Sequence, residues 1–151
     1  TIPLVWGWPL LSPMTVRTAP WQPDEAVGGR PVLLRDSAVA PQVDTEGAAG
    51  FAASRHPRTA AGIVSDGRRL LLVTVDGRQE PYSDGMTLRE LANLMRALGA
   101  RDAINLDGGG STTMVLKTPA TRALTVVNKP SDPTGERAVG NALGVVRRCA
   151  R

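Results

Sequence analysis

The sequence predicts a mixed α+β domain, with one or two sheets and a single main amphipathic helix packed against them. Three observations carry this. Short apolar runs closed by Gly, Pro or Asp recur from Pro31 to Val146, which is how strands are punctuated. One segment, 88–98, departs from that pattern and repeats Leu88, Leu91, Ala92, Met95 and Leu98 at helical intervals. A length of 151 residues suits one core. That core must be aliphatic, because aromatics make up only 3% of the chain.

Residues 1–31 combine Pro3, Pro9, Pro13, Pro20, Pro23 and Pro31 with Trp6, Trp8 and Trp21. Prolines that dense forbid a regular helix and allow extended loops and edge strands. The tryptophans suit the covered end of a core or a sugar-stacking surface. Pro31 to Arg35 reads as a strand closed by Asp36-Ser37, and Ala40 to Ser54, small and polar without periodicity, as a surface loop. Arg55-His56-Pro57-Arg58-Thr59 leads into a strand over 60–64. Asp66-Gly67 is a hairpin signal before Leu70 to Val75, a run apolar enough for a central strand, which Asp76-Gly77 closes. Thr87-Leu88-Arg89-Glu90 has the capping-box pattern at the helix start, and Gly99 falls at the C′ position. With 103–106 as the next strand, 70–75, 88–98 and 103–106 form a βαβ-like unit. Leu124 to Val127 and Ala142 to Val146 are the remaining strands, before a frayed end containing Cys149.

The chemistry-bearing stretch is Asn105-Leu106-Asp107-Gly108-Gly109-Gly110-Ser111-Thr112-Thr113. It sets a carboxylate at the C-terminal end of a strand, where ligands commonly sit. Three glycines remove every Cβ, so that an anion could approach bare N–H groups. The plainer alternative is a hairpin whose loop is glycine-rich. The run lacks the Lys of a phosphate-binding P-loop and the spacing of the dinucleotide fingerprint.

Composition excludes several classes. The 18 Lys+Arg against 14 Asp+Glu leave a charge of +4, but these residues are scattered singly, with no basic run interleaved with aromatics. No nucleic-acid surface is expected, although diffuse positive charge favours an anionic substrate. One cysteine permits no internal disulfide and no thiolate metal cluster. No apolar run approaches the roughly 18 residues of a membrane-spanning segment, and no signal peptide is visible.

Taken together, Arg55-His56-Pro57-Arg58-Thr59-Ala60, Asp76-Gly77-Arg78, Gly85-Met86-Thr87-Leu88, the Asp107 glycine stretch and Asn128-Lys129-Pro130-Ser131-Asp132 resemble the phosphodiester glycosidase family in order and spacing, over about residues 28–146. The resemblance implies hydrolysis of a sugar-1-phosphodiester to free sugar and phosphomonoester, in a secreted or cell-envelope setting. The whole chain, 1–151, then reads as the C-terminal portion of one such domain, because the family's N-terminal Asn-Gly-Phe-Phe-like segment has no counterpart here. An N-terminal fragment of the same precursor is the expected partner. Thr1 is either a boundary without meaning or the product of self-cleavage through an N→O acyl shift, a form also used by N-terminal nucleophile hydrolases.

For such a reaction the departing phosphate is already a stable anion. The site needs cations and N–H donors for it, plus a carboxylate for the anomeric carbon or water. Arg58 and Arg137 are the expected phosphate clamp, with Thr59 beside them; structural ion pairs are the alternative for both arginines. Asp107 is the expected catalytic carboxylate, as nucleophile, base or metal ligand. Its partner is sought among Asp76, Asp132 and Glu136, with Asp132 also placed at the substrate. Gly108, Gly109 and Gly110 with Ser111 and Thr112 would supply donors, Asn105 and Asn128 would hold sugar hydroxyls, and His56 would serve as a hydrogen-bonding group. No cofactor is required. Ca²⁺ or Mg²⁺ could join Asp107 to the phosphate, but no ligand spacing identifies either. Two competing readings are a non-catalytic module binding envelope glycan or phosphate, and an amidase or self-processing protein built around Thr1.

Overall fold

The helix α1, Leu88–Ala97, forms where the capping box places it. The Thr87 hydroxyl accepts from the Glu90 amide at 3.1 Å, and the Glu90 carboxylate accepts from the Thr87 amide at 2.9 Å. Leu98 is the C-cap, so the helix ends one residue before the expected 98, and Gly99 follows with φ +88°. Leu88, Leu91, Ala92 and Met95 are fully buried. Each large side chain among them contributes about 1.5–3 kcal/mol by leaving water. Thr87→Ala should cost about 1 kcal/mol, read as a lower midpoint of chemical denaturation at unchanged slope.

The computed structural model describes residues 27–47, 50–118 and 123–146. Thr1, the three tryptophans and Cys149 lie outside the described residues. A five-stranded sheet has the order β2-β1-β5-β3-β4, built from β1 Val32–Arg35, β2 Ala38–Val39, β3 Arg58–Val64, β4 Leu70–Val75 and β5 Ala100–Asn105. Every neighbouring pair is antiparallel. Leu33, Leu34, Ala60 and Ala103 of the sheet share one buried cluster with Leu88, Leu91, Ala92 and Met95 of α1, and Leu71, Val73 and Val75 pack against it. A small second sheet pairs β6 Val115–Lys117 with β7 Leu124–Val126. The mixed α+β class follows.

Five expectations change. The βαβ-like unit is a split one: β4 and β5 both run antiparallel to β3, which lies between them. Among the described residues β4 is an edge strand rather than a central one. Its apolar run reports partial cover on both faces, and burial says nothing of how many neighbours a strand has. The glycine run does not close a hairpin, since β5 and β6 pair with different partners. The loop after Ala40 is partly core: a 3₁₀ turn at Pro41–Asp44 buries Val43, and Asp44 forms an ion pair with Arg89 on α1. Residues 142–146 are irregular and exposed, because their apolar run finds no strand to pair with among the described residues.

The sheet brings the ends of β3 and β5 side by side, with Ala60 opposite Asn105. The residues just before β3 and just after β5 therefore meet. The candidate site lies there.

Candidate active site

A cavity of ≈ 700 Å³ opens at this end of the sheet, within the range that takes a small organic ligand. Asp107 follows β5, and its side chain is 81% exposed there. Its Oδ1 accepts from the Gly108 amide at 2.9 Å, and its Oδ2 lies 3.9 Å from the Arg137 guanidinium.

The glycines serve the protein's own backbone. A Cβ on Gly108 would stand 2.7 Å from the Pro57 carbonyl oxygen, and Gly109 takes φ +61°. The amides of Gly109, Ser111 and Thr112 donate to Pro57, Gly108 and Gly109 respectively. With Gly108 donating to Asp107, only the Gly110 amide of this run is left without an acceptor among the described residues. The expected row of free donors is thus absent, because this turn consumes its own N–H groups.

Positive charge comes instead from side chains. Arg58, Arg78, Arg137 and Arg30 all line the cavity. Arg58 is 2% exposed and has no ion pair among the described residues. It donates to the carbonyls of Met86 (2.9 Å), Phe51 (3.2 Å) and Ser54 (2.9 Å), and its guanidinium lies 4.8 Å over the Phe51 ring. It ties the 51–54 turn to the Met86 segment while keeping its charge at the cavity wall. Burial, and then the neighbouring Arg78, lower its pKa.

Arg78 is the residue missed among the site candidates. It sits at φ +57° and places Nε and Nη2 3.3 and 3.1 Å from His56 Nδ1. Accepting there leaves the His56 proton on Nε2. Burial, Arg78 and Arg58, in that order, lower the His56 pKa, which keeps the ring neutral near pH 7. The Asp76-Gly77-Arg78 motif contains the signal, a cation directly after the Asp-Gly that closes a strand.

Several expected residues are engaged with other parts of the protein or lie outside the cavity lining. Asp76 is outside the lining. It accepts from Asn128 Nδ2 (3.0 Å), the Lys129 amide (3.0 Å) and the Tyr82 hydroxyl (3.0 Å). Asn128 is equally engaged, since its Oδ1 accepts from Met114 and its Nδ2 also donates to Thr112. Thr59 and Thr112 pair with each other at 3.2 Å, with Thr112 buried. Ser111 is held by Arg137. Asp132 caps its own loop by accepting from the Thr134 amide and hydroxyl, which with Arg137 nearby lowers its pKa. Glu136 is exposed and does not line the cavity. The second carboxylate in the lining is Glu46, 3.6 Å from Arg30.

Asn105 stands apart. It is 5% exposed, its Nδ2 donates to the Arg30 carbonyl at 2.7 Å, and its Oδ1 is buried without a donor. The amide cannot flip without losing its one bond, so its oxygen stays an unpaired acceptor buried behind the cavity wall. No group of three or more His, Cys, Asp or Glu among the described residues could hold a metal ion. Two acids beside four arginines do not fit a hard cation that takes several oxygen ligands.

A family model described as phosphodiester glycosidase matches residues 10–146. The N-acetylglucosamine-1-phosphodiester α-N-acetylglucosaminidase of Mus musculus is 41% identical over 75 residues, covering 50% of this chain and 13% of that protein. The zebrafish enzyme of the same name, its catalytic domain auto-inhibited by its pro-peptide, is similar in structure with a TM-score of 0.54 at 31% identity, covering 69% of this chain and 34% of that one. A Burkholderia pseudomallei protein, named as exported, gives a TM-score of 0.51 at 43% identity, over 60% of this chain and 16% of that one. The chain thus spans a small part of the length of the relatives it matches.

Proposed function

This chain belongs to the phosphodiester glycosidase family, and from that premise we propose that it hydrolyses a sugar-1-phosphodiester, releasing free sugar and a phosphomonoester. The observation that carries the reading is an exposed carboxylate, Asp107, in a cavity that four arginines also line.

In such a reaction the bond from the anomeric carbon to oxygen breaks, and the phosphate leaves with the electron pair. No proton is needed to make it leave, so holding its charge is the main task. Arg137, Arg78 and Arg58 supply that charge, and neutral His56 adds an Nε2–H donor. Asp107 stabilises the cationic anomeric carbon or attacks it, and Glu46 is the candidate second carboxylate. Export is part of the same reading, supported by the exported relative. Among the described residues no helix is long and apolar enough to cross a membrane.

Hydrolysis in ¹⁸O-labelled water tests it. The label is expected in the released sugar, at the anomeric hydroxyl, with none in the phosphomonoester. Label in the phosphate would mean P–O cleavage and would replace the glycosidase reading with a phosphodiesterase one.

A further inference from the structure

The charges around the cavity do not balance. Arg30 has Glu46 at 3.6 Å and Arg137 has Asp107 at 3.9 Å, while Arg58 and Arg78 have no carboxylate within ion-pair distance among the described residues. Arg58 is almost fully buried, and its Nε and Nη2 are spent on neutral carbonyls. Arg78 spends Nε and Nη2 on an uncharged imidazole nitrogen and carries Nη1 over Gly109, 3.2 Å from where a Cβ would stand. Arg58, held out of water without a counterion, is costly to keep charged, and an anion entering the cavity relieves that cost, while Arg78 is exposed and free to meet the same anion. Two charges await one ligand.

A phosphodiester carries one negative charge, whereas a phosphomonoester carries nearly two near neutral pH, its second pKa being about 6. Resting on the hydrolase reading of this same cavity, we propose that the site holds a phosphate group as its dianion, so that the phosphomonoester product binds more tightly than the diester substrate and restrains turnover as it accumulates. Arg78 is the residue that sets this preference, because Arg58 is also needed by the loops it ties together.

The ionisable groups facing the ligand fix the sign of the pH dependence. On acidification His56, Asp107 and Glu46 can only gain protons, and Arg30, Arg58, Arg78 and Arg137 stay charged, so the wall becomes no less positive. A fall in preference for the monoester on acidification therefore cannot come from a loss of positive charge on the wall.

Calorimetric titration of the full protein with methyl phosphate and with dimethyl phosphate, at pH 7.5 and pH 5.0, reads the preference directly. At pH 7.5 methyl phosphate should bind at least about tenfold more tightly, and at pH 5.0 the ratio should fall to about threefold or less. R78Q should reduce the ratio at pH 7.5, while R69Q, which removes a charge at the β3–β4 turn, should leave it unchanged. Equal affinities at pH 7.5, a ratio indifferent to pH, or a ratio untouched in R78Q would each overturn the proposal. Neither probe contains a glycosidic bond. A preserved ratio in a protein that releases no sugar would therefore support the dianion site while removing the hydrolase reading.

Discussion

Asp107→Asn should lower kcat/KM for a sugar-1-phosphodiester by about 10³–10⁴-fold, while methyl phosphate binds as well as before or better. The two halves of this result come from different properties of one side chain. Asp107 is largely exposed, and its structural contact is the bond accepted from the Gly108 amide, which an Asn carbonyl oxygen can also accept. The fold should therefore tolerate the exchange, with an unchanged denaturation midpoint. What the amide cannot do is attack the anomeric carbon or stabilise positive charge there. Removing a negative charge beside Arg137 also leaves that guanidinium freer to meet phosphate. Retention of more than about a tenth of the activity would remove Asp107 from the chemistry. Absence of turnover in the parent protein, with phosphate bound normally, would favour the binding-module reading.

Gly85→Ala is expected to cost about 4 kcal/mol of stability, combining overpacking with a strained backbone, a large part of the 5–15 kcal/mol typical of a domain. Gly85 takes φ +94°, and a Cβ there would overlap the His56 carbonyl and stand 2.9 Å from the His56 nitrogen. The segment has no room to yield. His56 and Met86 exchange two backbone hydrogen bonds, Arg58 donates to the Met86 carbonyl and Arg55 to that of Gly85. Urea denaturation measures the loss, and a cost below about 1 kcal/mol would show that the strand-like pairing of His56 with Met86 is soft. Because the displaced residues carry His56 and Arg58 into the cavity, phosphate affinity should fall in parallel with stability.

The sequence was most legible where the physics is local. A capping box, a helical apolar repeat and a Gly at C′ all act within a few residues, and α1 formed within one residue of its expected end. Asp66-Gly67 was equally local: its carboxylate accepts from the amides of Arg68 and Arg69. What failed depended on distant partners. Leu70 to Val75 announced burial but could not announce an edge, and Ala142 to Val146 had strand composition with nothing to pair against. In the site, residue types were easier to read than duties. Asp76 and Asp107 both end an apolar strand before glycine, yet Asp76 meets the 128–129 segment and Asp107 meets the cavity. Arg58 was visible as a site residue, but its bonds to three carbonyls were not. Glu46 was hidden in a segment without periodicity.

The Asp76 carboxylate, with Asn128, Lys129 and Tyr82 gathered on it, divides the protein into scaffold and insert. The Lys129 carbonyl is also held by Gln79, and its ammonium lies 4.8 Å over the Tyr82 ring. Beyond that clasp, residues 130–137 contain no regular strand or helix and present Arg137 to the cavity. Such a segment resembles a cassette gripped at one end. Its sequence can be exchanged without disturbing the register of any strand in the five-stranded sheet, so evolution or design could reshape one wall of the pocket while Asp107, held at the end of β5 by the Gly108 amide, stays where it is.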